Sequence, residues 1–122
     1  MKQLIIGLAA ITAALGVFSA FAQAPATSAQ RGKEVFEYWC ATCHGPGIGT
    51  FGAPHLPGTT ALQAKYKGSL PALLDERTDM QPVFIKTMVR NGVTVMPFFR
   101  KTEVSDTDLE ALVAYLTRNN KK

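Results

Sequence analysis

The 122-residue chain has no cluster of Lys or Arg, no internal repeat, no downstream Cys/His pair and no paired carboxylates beside its two cysteines. Each absence removes a class of function. Without a basic cluster there is no electrostatic footprint for nucleic acid; Lys65/Lys67 and Lys121/Lys122 read as solvated surface. Structural zinc sites usually pair a C-x-x-C with a second, separate ligand pair, and two Cys with two His do not supply one in that arrangement. With no acid pair and no activated nucleophile near the cysteines, independent catalysis has nothing to run on. Long apolar runs are scarce too. Leu4 to Phe18, broken by Gly7, Thr12 and Gly16, falls short of the roughly 20 residues a spanning helix needs.

That run follows a short basic start, Met1-Lys2-Gln3, and precedes an A-x-A site at Ala20-Phe21-Ala22. A signal peptide over 1–22, cleaved after Ala22, is therefore expected rather than an anchor that stays in the membrane. The remaining 23–122 form one small domain exported to the periplasm, with no stable membrane insertion after cleavage. The 13 basic residues less Lys2 leave 12 against 9 acidic ones, a net of +3. So mild a surplus can steer an acidic partner but does not define one.

The most informative stretch present is Cys40-Ala41-Thr42-Cys43-His44. Two thiols three residues apart lie about one helical turn from each other, so they can add to two vinyl groups on one edge of a haem. The adjacent imidazole can then take an axial position on the iron. A thioredoxin-like dithiol is the competing reading, since Trp39-Cys40-x-x-Cys43 resembles a W-C-x-x-C motif. The flanks oppose it. A redox pair should follow an apolar strand and open a long helix, yet Arg31 to Tyr38 carries four charges in eight residues with apolar positions at helical spacing. After the motif, Gly45, Pro46, Gly47 and Gly49 stop a helix. Covalent haem c is the expected cofactor.

The order of elements reads as all-α with long loops. Ser28 is a plausible N-cap for a helix to about Thr42, with Val35, Phe36 and Trp39 on one stripe. Gly45 to Gly58, with five Gly and three Pro, is loop. Thr59 to Asp79 suggests short helices near Thr60–Tyr66 and Pro71–Glu76. Pro82 opens a further helix that ends at Asn91 with Gly92 as its C-terminal cap. Val93 to Thr102 is loop. Ser105, with Asp108 three residues on, starts a last helix whose apolar face is Leu109, Leu112, Val113 and Leu116. Such a core is marginal for a domain of this size, and a covalent haem would add apolar volume.

A second axial ligand must come from His55 or a methionine. His55, between Pro54 and Pro57, has the setting of an exposed loop histidine. Met88 lies within a helix, where core packing is the ordinary role of a thioether. Met80 has no evident reason to face the iron. Met96 stands in an irregular loop 52 positions after His44, with length to wrap to the opposite haem face, and Pro97 stiffens the backbone beside it. On residues alone Met96 is the best ligand candidate, with a gap-filling core Met as the alternative.

These residues together resemble the class I c-type cytochromes, small one-haem electron carriers, across the whole of 23–122. The matching features are Gly32 and Phe36 before Cys40/Cys43/His44, then Pro54 and Leu56, Met96-Pro97, and Tyr115 on the last helix. The resemblance implies a small class I cytochrome c fold, its N- and C-terminal helices crossing at Gly32 with Phe36 and Tyr115 packed there, its long loops wrapped round one haem. It implies that Met96 is the distal iron ligand opposite His44. It also implies that the Pro54 carbonyl accepts a hydrogen bond from His44 Nδ1–H. More narrowly, Val89 to Phe98 is similar to the ligand loop of the cytochrome subunit of p-cresol methylhydroxylase-type flavocytochromes. That likeness implies a flavoprotein dehydrogenase oxidising an alkylphenol-type substrate as electron donor. A freely diffusing carrier between another dehydrogenase and a terminal oxidase is the alternative. The downstream acceptor would be another cytochrome, a cupredoxin or an oxidase. Electrons would cross near Ala41, Thr42, Pro46 and Ile48, with Phe98 and Phe99 at the border and Lys65, Lys67 and Lys101 steering the encounter.

Overall fold

A computed structural model describes residues 27–121. The expected signal peptide and its cleavage site lie outside these residues. The first helix, α1 (Ser28–Trp39), is capped by Thr27 rather than Ser28. Thr27 Oγ1 accepts from the Gln30 N–H at 3.2 Å, and the Gln30 side chain accepts from the Thr27 N–H at 2.9 Å. This reciprocal box satisfies two orphan donors at once, which Ser28 would not do. Nor does α1 run on to Thr42. Cys40 departs from helical geometry at φ −115°, and a separate turn, α2 (Ala41–His44), begins beyond it.

After a loop containing a 3-10 turn at Thr50–Gly52, α3 (Pro57–Tyr66) starts three residues earlier than expected, with Pro57 in its first turn. There the missing N–H costs nothing and the fixed φ suits a helix. The segment expected as helical near Pro71–Glu76 is only a 3-10 turn at Leu74–Glu76. Helix α4 (Pro82–Asn91) ends against Gly92, as its sequence signals indicate. Helix α5 (Asp106–Leu116) is capped by the Ser105 side chain, which accepts from the Asp108 N–H at 3.0 Å. Among the described residues there is no strand, only an isolated pairing of Val93 with Met96. The all-α expectation holds.

The two terminal helices cross with almost no space between their backbones. A Cβ on Gly32 would lie 1.9 Å from the Ala111 carbonyl oxygen and 2.7 Å from Tyr115 Cβ. Only glycine permits that approach. Beside it the Phe36 and Tyr115 rings sit 5.6 Å apart, tilted by 46°. Arg31 ties the same helices from outside, donating to Asp108 at 2.8 Å. Leu112, Leu109, Val35, Ile85 and Val89 fill the core below, each buried. Complete burial of such a side chain is worth about 1.5–3 kcal/mol, so this crossing anchors the domain. The loops 45–56 and 92–104 are left on the flanks, the first following the Cys40–His44 turn and the second carrying Met96.

Candidate functional site

Cys40 and Cys43 occupy successive positions around one tight turn. The Cys40 carbonyl accepts from both the Cys43 N–H at 3.1 Å and the His44 N–H at 2.8 Å. Cys40 is half-buried, Cys43 exposed, and both are free thiols. Burial pushes the Cys40 thiol up to about 12, with Cys43 adding to the rise. A nucleophilic thiol is favoured by the opposite shift, which weighs against the thioredoxin-like reading.

The turn is fastened from below by a residue that sequence reasoning missed. Thr59 is fully buried, and its hydroxyl faces two acceptors, the carbonyls of Gly45 at 3.3 Å and Cys43 at 3.5 Å. It thereby pins the end of α2 to the first turn of α3. Its neighbour Gly58 lies directly under the His44 ring, where a Cβ would come within 2.7 Å of Cε1 and 2.8 Å of Nδ1. The available signal was Pro57, whose preference for the first helical turn places Gly58 and Thr59 at the start of a helix.

His44 Nδ1 is buried and has no hydrogen-bond partner. The hydrogen bond expected from it to the Pro54 carbonyl is not among the contacts of this structure, in which the Nδ1–Cε1 edge lies against Gly58 in the first turn of α3. Burial also lowers the imidazole pKa, which favours the neutral ring, the form that can donate a lone pair to a metal.

Met96 is held by a turn of its own. Val93 and Met96 exchange backbone hydrogen bonds of 3.1 and 2.9 Å, and Thr94 between them adopts a left-handed φ of 51°. Met96 is half-buried, whereas Met80 is a core residue at 4% exposure. Asn120 clamps the Met80 backbone on both sides, accepting from its N–H at 3.1 Å and donating to its carbonyl at 2.6 Å. Met88 is half-buried within α4. His55 is half-buried, its carbonyl accepting from Thr60 Oγ1 at 3.0 Å. Three residues past Met96, the Phe99 ring packs edge-on at 5.8 Å against Trp39, the residue before Cys40. Phe98 is exposed, and so are Ile48 and Val95.

The residues fit a haem c. Two thiols lie on one turn, an imidazole with a buried, partnerless Nδ1 follows them, and the loop that carries the Met96 thioether packs its Phe99 on Trp39. Among the described residues no group of three or more His, Cys, Asp or Glu is placed to hold a metal ion. Nor, among these residues, is any helix long and apolar enough to cross a membrane.

Comparison with known proteins agrees with that chemistry. Residues 27–116 match the family model described as cytochrome C oxidase, cbb3-type, subunit III. The chain is 31% identical over 101 residues to cytochrome c6 of Synechocystis sp., an alignment covering 83% of this chain and 73% of the relative. No solved structure matches the chain significantly.

Proposed function

From the premise that the chain belongs to the class I c-type cytochromes, electron-transfer proteins with one covalent haem c rather than enzymes, we propose that it is the periplasmic cytochrome subunit of a flavoprotein dehydrogenase. In this reading Cys40 and Cys43 form the two thioethers, His44 is the proximal iron ligand and Met96 the distal one. When bound, the group supplies a one-electron Fe(III)/Fe(II) couple, and a thioether opposite an imidazole favours the ferrous state. The observation that carries the assignment is the His44 Nδ1, buried and without a hydrogen-bond partner, directly after two thiols on one turn.

The protein's part is positioning. Thr59 and Gly58 fix the height and tilt of the His44 ring, and the Val93–Met96 turn presents the thioether. With His44 and Met96 both holding the group, exogenous ligands would find no free site on it, and it would exchange electrons only. Val95 and Phe98, flanking Met96 in the chain, and Ile48, four residues after His44, are exposed apolar side chains that would suit a protein partner. The likeness of Val89 to Phe98 to a flavocytochrome ligand loop favours a flavoprotein donor acting on an alkylphenol-type substrate. Export of a mature 23–122 domain completes the proposal. The second reading, a freely diffusing carrier, draws on the similarity to cytochrome c6 over most of the chain.

Native size-exclusion of the protein from its own periplasm, following haem and flavin absorbance together, separates the two. Haem and flavin eluting together at the mass of a larger complex is the expected result. Haem eluting alone near the mass of the single chain overturns the subunit assignment and leaves the diffusing carrier.

A further inference from the structure

Arg90 is not among the residues the sequence marks out, yet it makes three hydrogen bonds to three separate places. It lies in the last turn of α4 with its side chain largely covered, at 22% exposure. Nη1 donates to the carbonyls of Phe99 at 3.0 Å and Val104 at 2.8 Å, and Nη2 to Asp106 at 2.9 Å. The first two acceptors lie on the segment that follows Met96, and the third opens α5. The residue before Arg90 completes the arrangement, since the Val89 carbonyl accepts from the Phe99 N–H at 2.8 Å. Both backbone groups of Phe99, three residues past Met96, are thus held by the end of α4. On the other side of Met96 the chain turns at Gly92, whose φ of +67° and 2.6 Å Cβ approach to the Met96 carbonyl admit no side chain. Met96 is framed between a glycine turn and an arginine clamp.

We propose that Arg90 is a positioning residue for the Met96 thioether, acting through the Phe99 and Val104 carbonyls to keep the ligand loop closed over the haem face. The inference rests on Met96 being the distal ligand, as proposed above. A guanidinium suits the task because it is always charged and presents several donors in one rigid plane, so it can span two carbonyls and a carboxylate together. When it is removed, two partly buried carbonyls lose their donor, and the loop is free to lift with Met96 on it. The closed state then becomes less populated, and the apparent affinity for any competing ligand of the iron rises in proportion.

The test is imidazole binding to the ferric holoprotein, read by its absorbance, in wild type, Arg90→Gln, Met96→Ala and the double variant. Arg90→Gln is expected to tighten imidazole binding by about tenfold, the scale of one or two lost hydrogen bonds to buried acceptors. Met96→Ala should tighten it further, and in that background Arg90→Gln should add nothing. Glu110→Gln, which breaks the Lys86–Glu110 bridge between the same two helices without touching the loop, should leave binding unchanged. Should Arg90→Gln fail to fold, Arg90→Lys is expected to act in the same direction with a smaller shift, because one ammonium cannot replace the fork. Unchanged affinity in the Arg90 variants overturns the proposal if Met96→Ala responds. So does an equal effect of Arg90→Gln with and without Met96, or an equal effect of Glu110→Gln. If Met96→Ala itself leaves imidazole binding unchanged, the distal-ligand assignment fails first and this inference with it.

Discussion

Replacing Gly32 by Ala sets two effects of opposite sign against each other. Alanine is favoured over glycine inside a helix by about 1 kcal/mol. Against this stands the crossing, where the new methyl would meet the Ala111 carbonyl oxygen at 1.9 Å and its carbon at 2.5 Å. Both are backbone atoms on a packed helix and cannot rotate away. Reaching even a 3.0 Å contact requires α1 and α5 to part by about 1 Å. A gap of that size forfeits roughly a quarter to a half of the contact energy of the side chains facing it. Phe36, Tyr115 and Leu112 lie at this crossing, each worth about 1.5–3 kcal/mol when buried, so the loss totals about 1–4 kcal/mol. The two effects leave a net cost of up to about 3 kcal/mol after the helix-propensity gain. For a domain of about 100 residues that lowers Tm by up to about 20 °C. The assay is thermal or urea unfolding of the holoprotein followed by far-ultraviolet circular dichroism. A Gly32→Ala variant more stable than wild type would refute the reasoning about the crossing.

Two further outcomes concern the ligand and the acid limb. Met96→Ala should let carbon monoxide bind the reduced protein readily, where the wild type resists it, and should lower the reduction potential by on the order of 0.1 V; a variant that still excludes carbon monoxide would contradict the assignment. Asp79 accepts from buried Arg77 at 2.6 and 2.7 Å, and those hydrogen bonds hold its carboxyl below the usual aspartate range. Because the folded-state pKa is depressed, the contribution to stability is complete above the unfolded value near 4 and is lost as pH falls through the folded value. Asp79→Asn should therefore cost about 1–2 kcal/mol at neutral pH, allowing for the 43% exposure of the carboxylate, with the difference from wild type closing in acid. Urea midpoints measured between neutrality and strong acid check the sign.

What the sequence made legible was what local chemistry dictates. Pro82 and Gly92 bracket α4, and Ser105 with Asp108 opens α5, because these boundaries depend on residues within a few positions of each other. The cysteine-histidine turn was legible for the same reason. The cap of α1 was displaced by one residue because Thr27 and Ser28 are equally good acceptors, and only the reciprocal Gln30 contact chooses between them. The break at Cys40 and the early start of α3 belong to tertiary packing. Thr59 must reach the carbonyls of Gly45 and Cys43, which fixes where both turns fall. Gly58 and Arg90 were invisible because their partners lie far along the chain or on its backbone, which no side-chain pattern announces. The Pro54 hydrogen bond was implied by family resemblance alone, and no local pattern announces that the His44 ring lies against Gly58.

The central claim is that Cys40 and Cys43 carry a haem covalently. Its most direct test is the intact mass, under denaturing conditions, of the coloured protein purified from its own periplasm, followed by the mass of the peptide spanning Cys40 to His44. The account predicts the mass of the chain beginning at Gln23 plus one haem, with the whole addition retained on that peptide. Colour that separates from the denatured chain, leaving the polypeptide at its own mass with two unmodified cysteines, would contradict it.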